Sequence, residues 1–123
     1  KKYPTVRFVV AHMLAETTTI NQRWKDDVDL LSTADNIWYD LSCMPCFMKV
    51  EDQYPFYDCL EMIEYAADKC GTDHLMWGSD LPMTLVNCTF DKLFDFIRYS
   101  KKFTEDDFDN IYAKSAQAAY HIR

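Results

Sequence analysis

Leu75-Met76-Trp77-Gly78-Ser79-Asp80-Leu81-Pro82 decides how the chain is read. Three apolar residues form the core of a short buried strand. Gly78 then opens its end, Asp80 emerges where the strand stops, and Pro82 blocks continuation. Parallel α/β folds carry their chemistry at the C-terminal ends of strands, so an aspartate delivered there can bind a cation or activate water. An Asp in this position can equally cap the following turn or helix. The neighbouring segments decide between the two.

Upstream, Val6-Arg7-Phe8-Val9-Val10-Ala11 is β-branched and aromatic behind Pro4, and it predicts a strand ending at His12. Thr17-Thr18-Thr19 is a plausible helix start, with Ile20, Trp24, Val28 and Leu31 following at helical spacing. Asn36 to Ser42 predicts a second strand. Tyr54-Pro55 opens a second helix that buries Phe56, Cys59, Leu60, Ile63, Ala66, Ala67 and Cys70, with Gly71 at its C-terminal cap. Beyond the opening motif, Phe90, Leu93, Phe94 and Ile97 mark a helix behind Thr89. Thr104-Glu105-Asp106-Asp107 resembles a capping box ahead of Phe108, Ile111, Tyr112 and Ala119. Strands that alternate with helices in this way run parallel and are joined by right-handed crossovers.

Side chains alternate faces along a strand, so His12 is expected to share a face with Val10, and Asp80 with Gly78 and Met76. Each expected strand ends in a polar group: His12, Ser42 and Asp80. Three such ends in succession point to a pocket at one rim of a sheet or barrel. A histidine at a strand end can also be purely structural.

Composition narrows the function classes. With 123 residues, 49% hydrophobic and 15% aromatic, the chain has material for one packed domain over 1–123. A net charge of -7 argues against a nucleic-acid partner. No apolar run reaches the ~20 residues that span a bilayer, so no membrane partner is expected. Five cysteines are an odd number and fit reduced thiols of a cytoplasmic protein better than a disulfide framework. Cys43-Met44-Pro45-Cys46 has thiol-disulfide spacing, but it sits in an acidic chain, in a loop after a strand, with no second pair to complete a zinc site. It reads as loop or pocket lining. The acidic runs at Asp26, Asp27 and Asp29 and at Glu105 to Asp107 read as a solvated face and a helix-dipole partner.

These segments resemble the C-terminal part of the amidohydrolase-related family, which includes aminocarboxymuconate-semialdehyde decarboxylase, resorcylate decarboxylases and lactone hydrolases. Tyr3-Pro4 to His12 is similar to the sixth strand of that family's barrel, Asn36 to Ser42 to the seventh, and His74 to Pro82, with its Gly-Ser-Asp, to the eighth. Thr104 to His121 resembles the closing helix. The resemblance implies the last three strand-helix units of a (β/α)8 barrel, incomplete in this chain. It further implies a metal-dependent hydrolase or non-oxidative decarboxylase acting on a small carboxylated or aromatic substrate. On it, Asp80 is a ligand of a divalent metal (zinc or manganese) and a catalytic group, and His12 is the acid/base. Met13-Leu14-Ala15 and Ser115-Ala116 depart from the family pattern. Its His-x-His pair would lie upstream of Lys1, leaving a metal site incomplete here. Two features lead us to expect a piece of something longer, completed by a complementary segment or an oligomer. The chain opens on Lys1 rather than methionine, and three parallel strands leave edges open. The alternative is a non-catalytic structural or interaction fragment of the same fold. A thiol redox domain built on Cys43 and Cys46 has little support.

Overall fold

The computed structural model describes residues 2–15, 20–47, 54–86 and 88–122. Three parallel strands stand in the order β1 (Phe8–Val10), β2 (Ile37–Asp40), β3 (Leu75–Met76). Phe8, Val9 and Val10 pair with Ile37, Trp38 and Tyr39, and Tyr39 and Asp40 pair with Leu75 and Met76. The helices are α1 (Gln22–Leu31), α2 (Tyr57–Cys70), α3 (Phe90–Asp95), α4 (Glu105–Asp109) and α5 (Ser115–Tyr120). Strands and helices thus alternate as the apolar periodicity predicts, and the sheet is parallel throughout.

The period-two register explains the core. Val10, Tyr39 and Leu75 share one face, where they pack with Trp24 and Val28 of α1 and with Cys59, Leu60, Ile63 and Ala66 of α2. Trp38 and Met76 take the opposite face with Val9, and there they meet Ala116 and Ala119 of α5. Both faces are covered, as near-continuous apolar strands require. Tyr39 is fully enclosed, and its hydroxyl donates to the Val28 carbonyl at 3.2 Å. Burial pushes its ionisation above the usual tyrosine range.

Several boundaries differ from the sequence reading. The strands are shorter: β1 stops at Val10 and β3 at Met76, so neither His12 nor Asp80 lies on a strand. Trp77 donates its backbone N–H to Ile111 in the C-terminal helical run rather than to a strand. Helix α1 begins behind Asn21, whose side chain accepts from the Trp24 N–H at 2.9 Å. The expected start at Thr17-Thr18-Thr19 lies outside the described residues. Helix α2 closes as expected on Gly71, at φ +83, a conformation that glycine adopts at little cost. The C-terminal run from Glu105 to Tyr120 contains a π turn at Asn110–Lys114, which its apolar spacing does not announce.

The capping box is present. Thr104 accepts from the Asp107 N–H, and the Asp107 carboxylate accepts from the Thr104 backbone at 2.8 Å. The same carboxylate accepts from buried Thr72 at 2.7 Å, tying the turn before β3 to α4. These bonds, the Thr104 backbone first, hold the Asp107 carboxyl below the ordinary range. A depressed carboxyl pKa stabilises the fold above the unfolded value of ~3.9, and the contribution disappears as pH falls through the folded value. Asp107→Ala is therefore expected to cost about 1–2 kcal/mol at neutral pH. The difference from wild type should shrink below about pH 4. Urea unfolding across pH measures both, and an undiminished difference at pH 3 would show that the charge is not involved.

Candidate active site at the strand ends

Past Val10 the backbone enters a tight turn, Ala11–Leu14, in which His12, Met13 and Leu14 all adopt left-handed φ values of 53, 51 and 60°. Each such residue costs roughly 1–2 kcal/mol, so the turn needs support from outside. Met13 supplies it: its side chain is fully buried, and its carbonyl accepts from the indole N–H of Trp24 on α1 at 2.8 Å. The turn swings the His12 ring over the end of β2. There Nδ1 lies 3.0 Å from the Ser42 hydroxyl oxygen and 3.1 Å from the Ser42 carbonyl oxygen.

Asp40 closes β2 and folds back on Ser42. One carboxylate oxygen accepts from the Ser42 N–H at 2.8 Å and the other from the Ser42 hydroxyl at 2.9 Å. This is an Asx-type turn, which Asp forms readily because its short side chain reaches the backbone two residues on. Gly78 packs directly against the pair. A Cβ there would lie 2.7 Å from the Asp40 carboxylate and 2.8 Å from the Ser42 Cβ.

Beyond Gly78, Asp80 takes a left-handed φ of 49°, which aspartate tolerates better than most residues. The turn that follows is held by fully buried Thr84, whose hydroxyl donates to the Ser79 carbonyl at 2.5 Å. The Asp80 carboxylate neighbours the Cys43 thiol and opposes its ionisation. Burial first, then the neighbouring Asp80 and Cys46, push the Cys43 thiol well above the ordinary range. It is therefore a protonated thiol, not a reactive thiolate, and none of the five cysteines forms a disulfide.

The structure thus gathers two groups at the C-terminal ends of the strands. His12 joins Ser42 and Asp40, Asp80 joins Cys43, and the groups abut through the consecutive residues Ser42 and Cys43. The remaining histidines stand elsewhere. His74 precedes β3, where its Nδ1 bonds the Ile37 carbonyl at 2.7 Å and its ring stacks on Trp38 at 5.2 Å. His121 is exposed at the end of α5. Cys43, which the sequence reads as loop or pocket lining, stands beside Asp80, and its place directly after Ser42 is the signal for that. A cavity of about 350 Å³ lies at the other end of β3, between Gly71, Thr72, Asp73 and Phe103.

The profile of the amidohydrolase family matches residues 1–122. The chain belongs to the amidohydrolase family. No curated protein matches it. Among solved structures, this amidohydrolase chain is similar to an amidohydrolase from Burkholderia multivorans with bound HEPES. That match has 16% identity and a TM-score of 0.83, over 99% of this chain and 47% of that one. A second structure described in the same words, but with bound zinc, matches at 20% identity and a TM-score of 0.82, over 99% and 46%. A candidate 2-pyrone-4,6-dicarboxylic acid hydrolase from Pseudomonas putida matches at 15% identity and a TM-score of 0.77, over 95% and 44%. The chain spans less than half the length of these structures, and at such identities the likeness is one of fold.

A tetrahedral metal site takes three or four protein ligands. Among the described residues no three His, Cys, Asp or Glu side chains are grouped to hold an ion. The described residues of this amidohydrolase chain do not make up a metal site on their own. Nor, among the described residues, is any helix long and apolar enough to cross a membrane.

Proposed function

We propose that the chain forms the closing three strand-helix units of a (β/α)8 barrel. The intact enzyme would hydrolyse, or non-oxidatively decarboxylate, a small carboxylated or aromatic substrate. The observation that carries this reading is the gathering of His12, Ser42, Asp40, Cys43 and Asp80 at the C-terminal ends of three parallel strands, where barrels place their chemistry. Family membership and hydrolases among the structural neighbours favour hydrolysis.

In this reading Asp80 is a proton acceptor for water and His12 the acid/base. A carbonyl can only accept, so the bond from His12 Nδ1 to the Ser42 carbonyl makes Nδ1 the protonated nitrogen. The lone pair of the neutral ring is then on Nε2, which is the atom that takes and returns a proton. If the intact enzyme holds a divalent metal (zinc or manganese), Asp80 contributes one ligand and the others come from outside the described residues. Exposed Tyr3, Val6 and Phe8 around the outer edge of β1 support pairing with further strand-helix units or a second chain. Thiols without a disulfide fit a reducing compartment such as the cytoplasm.

The test is to offer the intact protein carboxylated lactones and hydroxylated benzoates, with and without added zinc or manganese. Acid release reports hydrolysis, and carbon dioxide reports decarboxylation. Turnover of neither class under either condition would favour the non-catalytic reading.

A further inference from the structure

We infer that Asp40 and Ser42 are positioning residues that select the ring tautomer of His12; this rests on the reading of His12 as the acid/base. Both Asp40 carboxylate oxygens are committed to Ser42, one to its N–H at 2.8 Å and one to its hydroxyl at 2.9 Å. The hydroxyl proton therefore points away from the histidine. What Ser42 offers to Nδ1 is two acceptors, the hydroxyl oxygen at 3.0 Å and the carbonyl oxygen at 3.1 Å. Only a protonated Nδ1 satisfies them. Ser42 is 5% exposed, so water competes poorly for these oxygens. The neutral histidine side chain in water prefers the other tautomer, with the proton on Nε2. The arrangement works against that preference and keeps Nε2 as the basic atom. Asp40 touches no reacting group here. It acts through Ser42.

The isosteric change Asp40→Asn separates this role from simple packing. The amide nitrogen replaces one carboxylate oxygen and donates to the Ser42 hydroxyl, whose proton then turns toward Nδ1 and favours the Nε2–H tautomer. Long-range ¹H–¹⁵N NMR of the intact protein reads the tautomer directly, with His12 assigned from a His12→Gln spectrum. In wild type, neutral His12 should be Nδ1–H. In Asp40→Asn the tautomer ratio should move toward Nε2–H by about tenfold, the equilibrium effect of roughly one hydrogen bond. An unchanged ratio in a folded Asp40→Asn protein would reduce Asp40 to a structural residue. An Nε2–H ring in wild type would overturn the inference without any variant. Failure of the acid/base reading shows up separately, as undiminished turnover in His12→Gln with the wild-type tautomer still Nδ1–H.

Discussion

Asp80→Asn in the intact enzyme should lower turnover by about 10²–10⁴-fold while leaving the fold in place. The change is conservative in every respect except charge. Asparagine shares the tolerance for the left-handed φ of 49° that Asp80 adopts and has nearly the same volume. It cannot accept a proton from water, and it is a far weaker ligand for a cation. The loss is therefore expected in kcat at saturating substrate, with the urea midpoint close to wild type. Cys43→Ser is the companion measurement. Serine is neutral and nearly the same size beside Asp80, so turnover should stay within about tenfold of wild type, no more than the worth of one hydrogen bond. Wild-type kcat in Asp80→Asn would remove Asp80 from the chemistry. A collapse in Cys43→Ser would instead give the thiol a role of its own.

The elements of the fold were legible because their causes are local. Trp24, Val28 and Leu31 recur at helical spacing, and Phe8-Val9-Val10 and Ile37-Trp38-Tyr39 are the β-branched and aromatic runs that pair in the sheet. The way the site residues are delivered was not legible. Alternation along a strand could be extended to His12 and Asp80 only if the strands reached them, and both strands stop short. The chain carries the residues onward through left-handed turns at His12 to Leu14, Cys43 and Asp80, none of which contains the glycine that usually signals such a turn. What permits these turns is side-chain hydrogen bonding to their carbonyls: the Trp24 indole bonded to the Met13 carbonyl, and the Thr84 hydroxyl bonded to the Ser79 carbonyl. Such support depends on tertiary packing, which periodicity does not encode. The polar character of the strand ends was readable; the partnership of Cys43 with Asp80 was not.

Gly78→Ala tests how tightly the ends of β2 and β3 are keyed together. The added methyl group would lie 2.7 Å from the Asp40 carboxylate and 2.8 Å from the Ser42 Cβ, both well inside van der Waals contact. The carboxylate cannot simply swing aside, because two hydrogen bonds hold it on Ser42. The Ser42 Cβ is one bond from the backbone, and Ser42 itself is buried. Either the strand ends separate or the Asp40–Ser42 bonds break. Overpacking of this kind costs about 1–3 kcal/mol. Urea unfolding of the intact protein should show a lower midpoint at an unchanged m-value. The same variant should also shift the His12 tautomer, since displacing Ser42 removes both acceptors of Nδ1. A double variant, Gly78→Ala with Asp40→Ala, vacates one of the two colliding positions. Its destabilisation should then fall short of the sum of the single changes by at least about 0.5 kcal/mol. Strict additivity would mean that Gly78 and Asp40 do not share the contact, and that the strand ends are held apart by something other than this close approach.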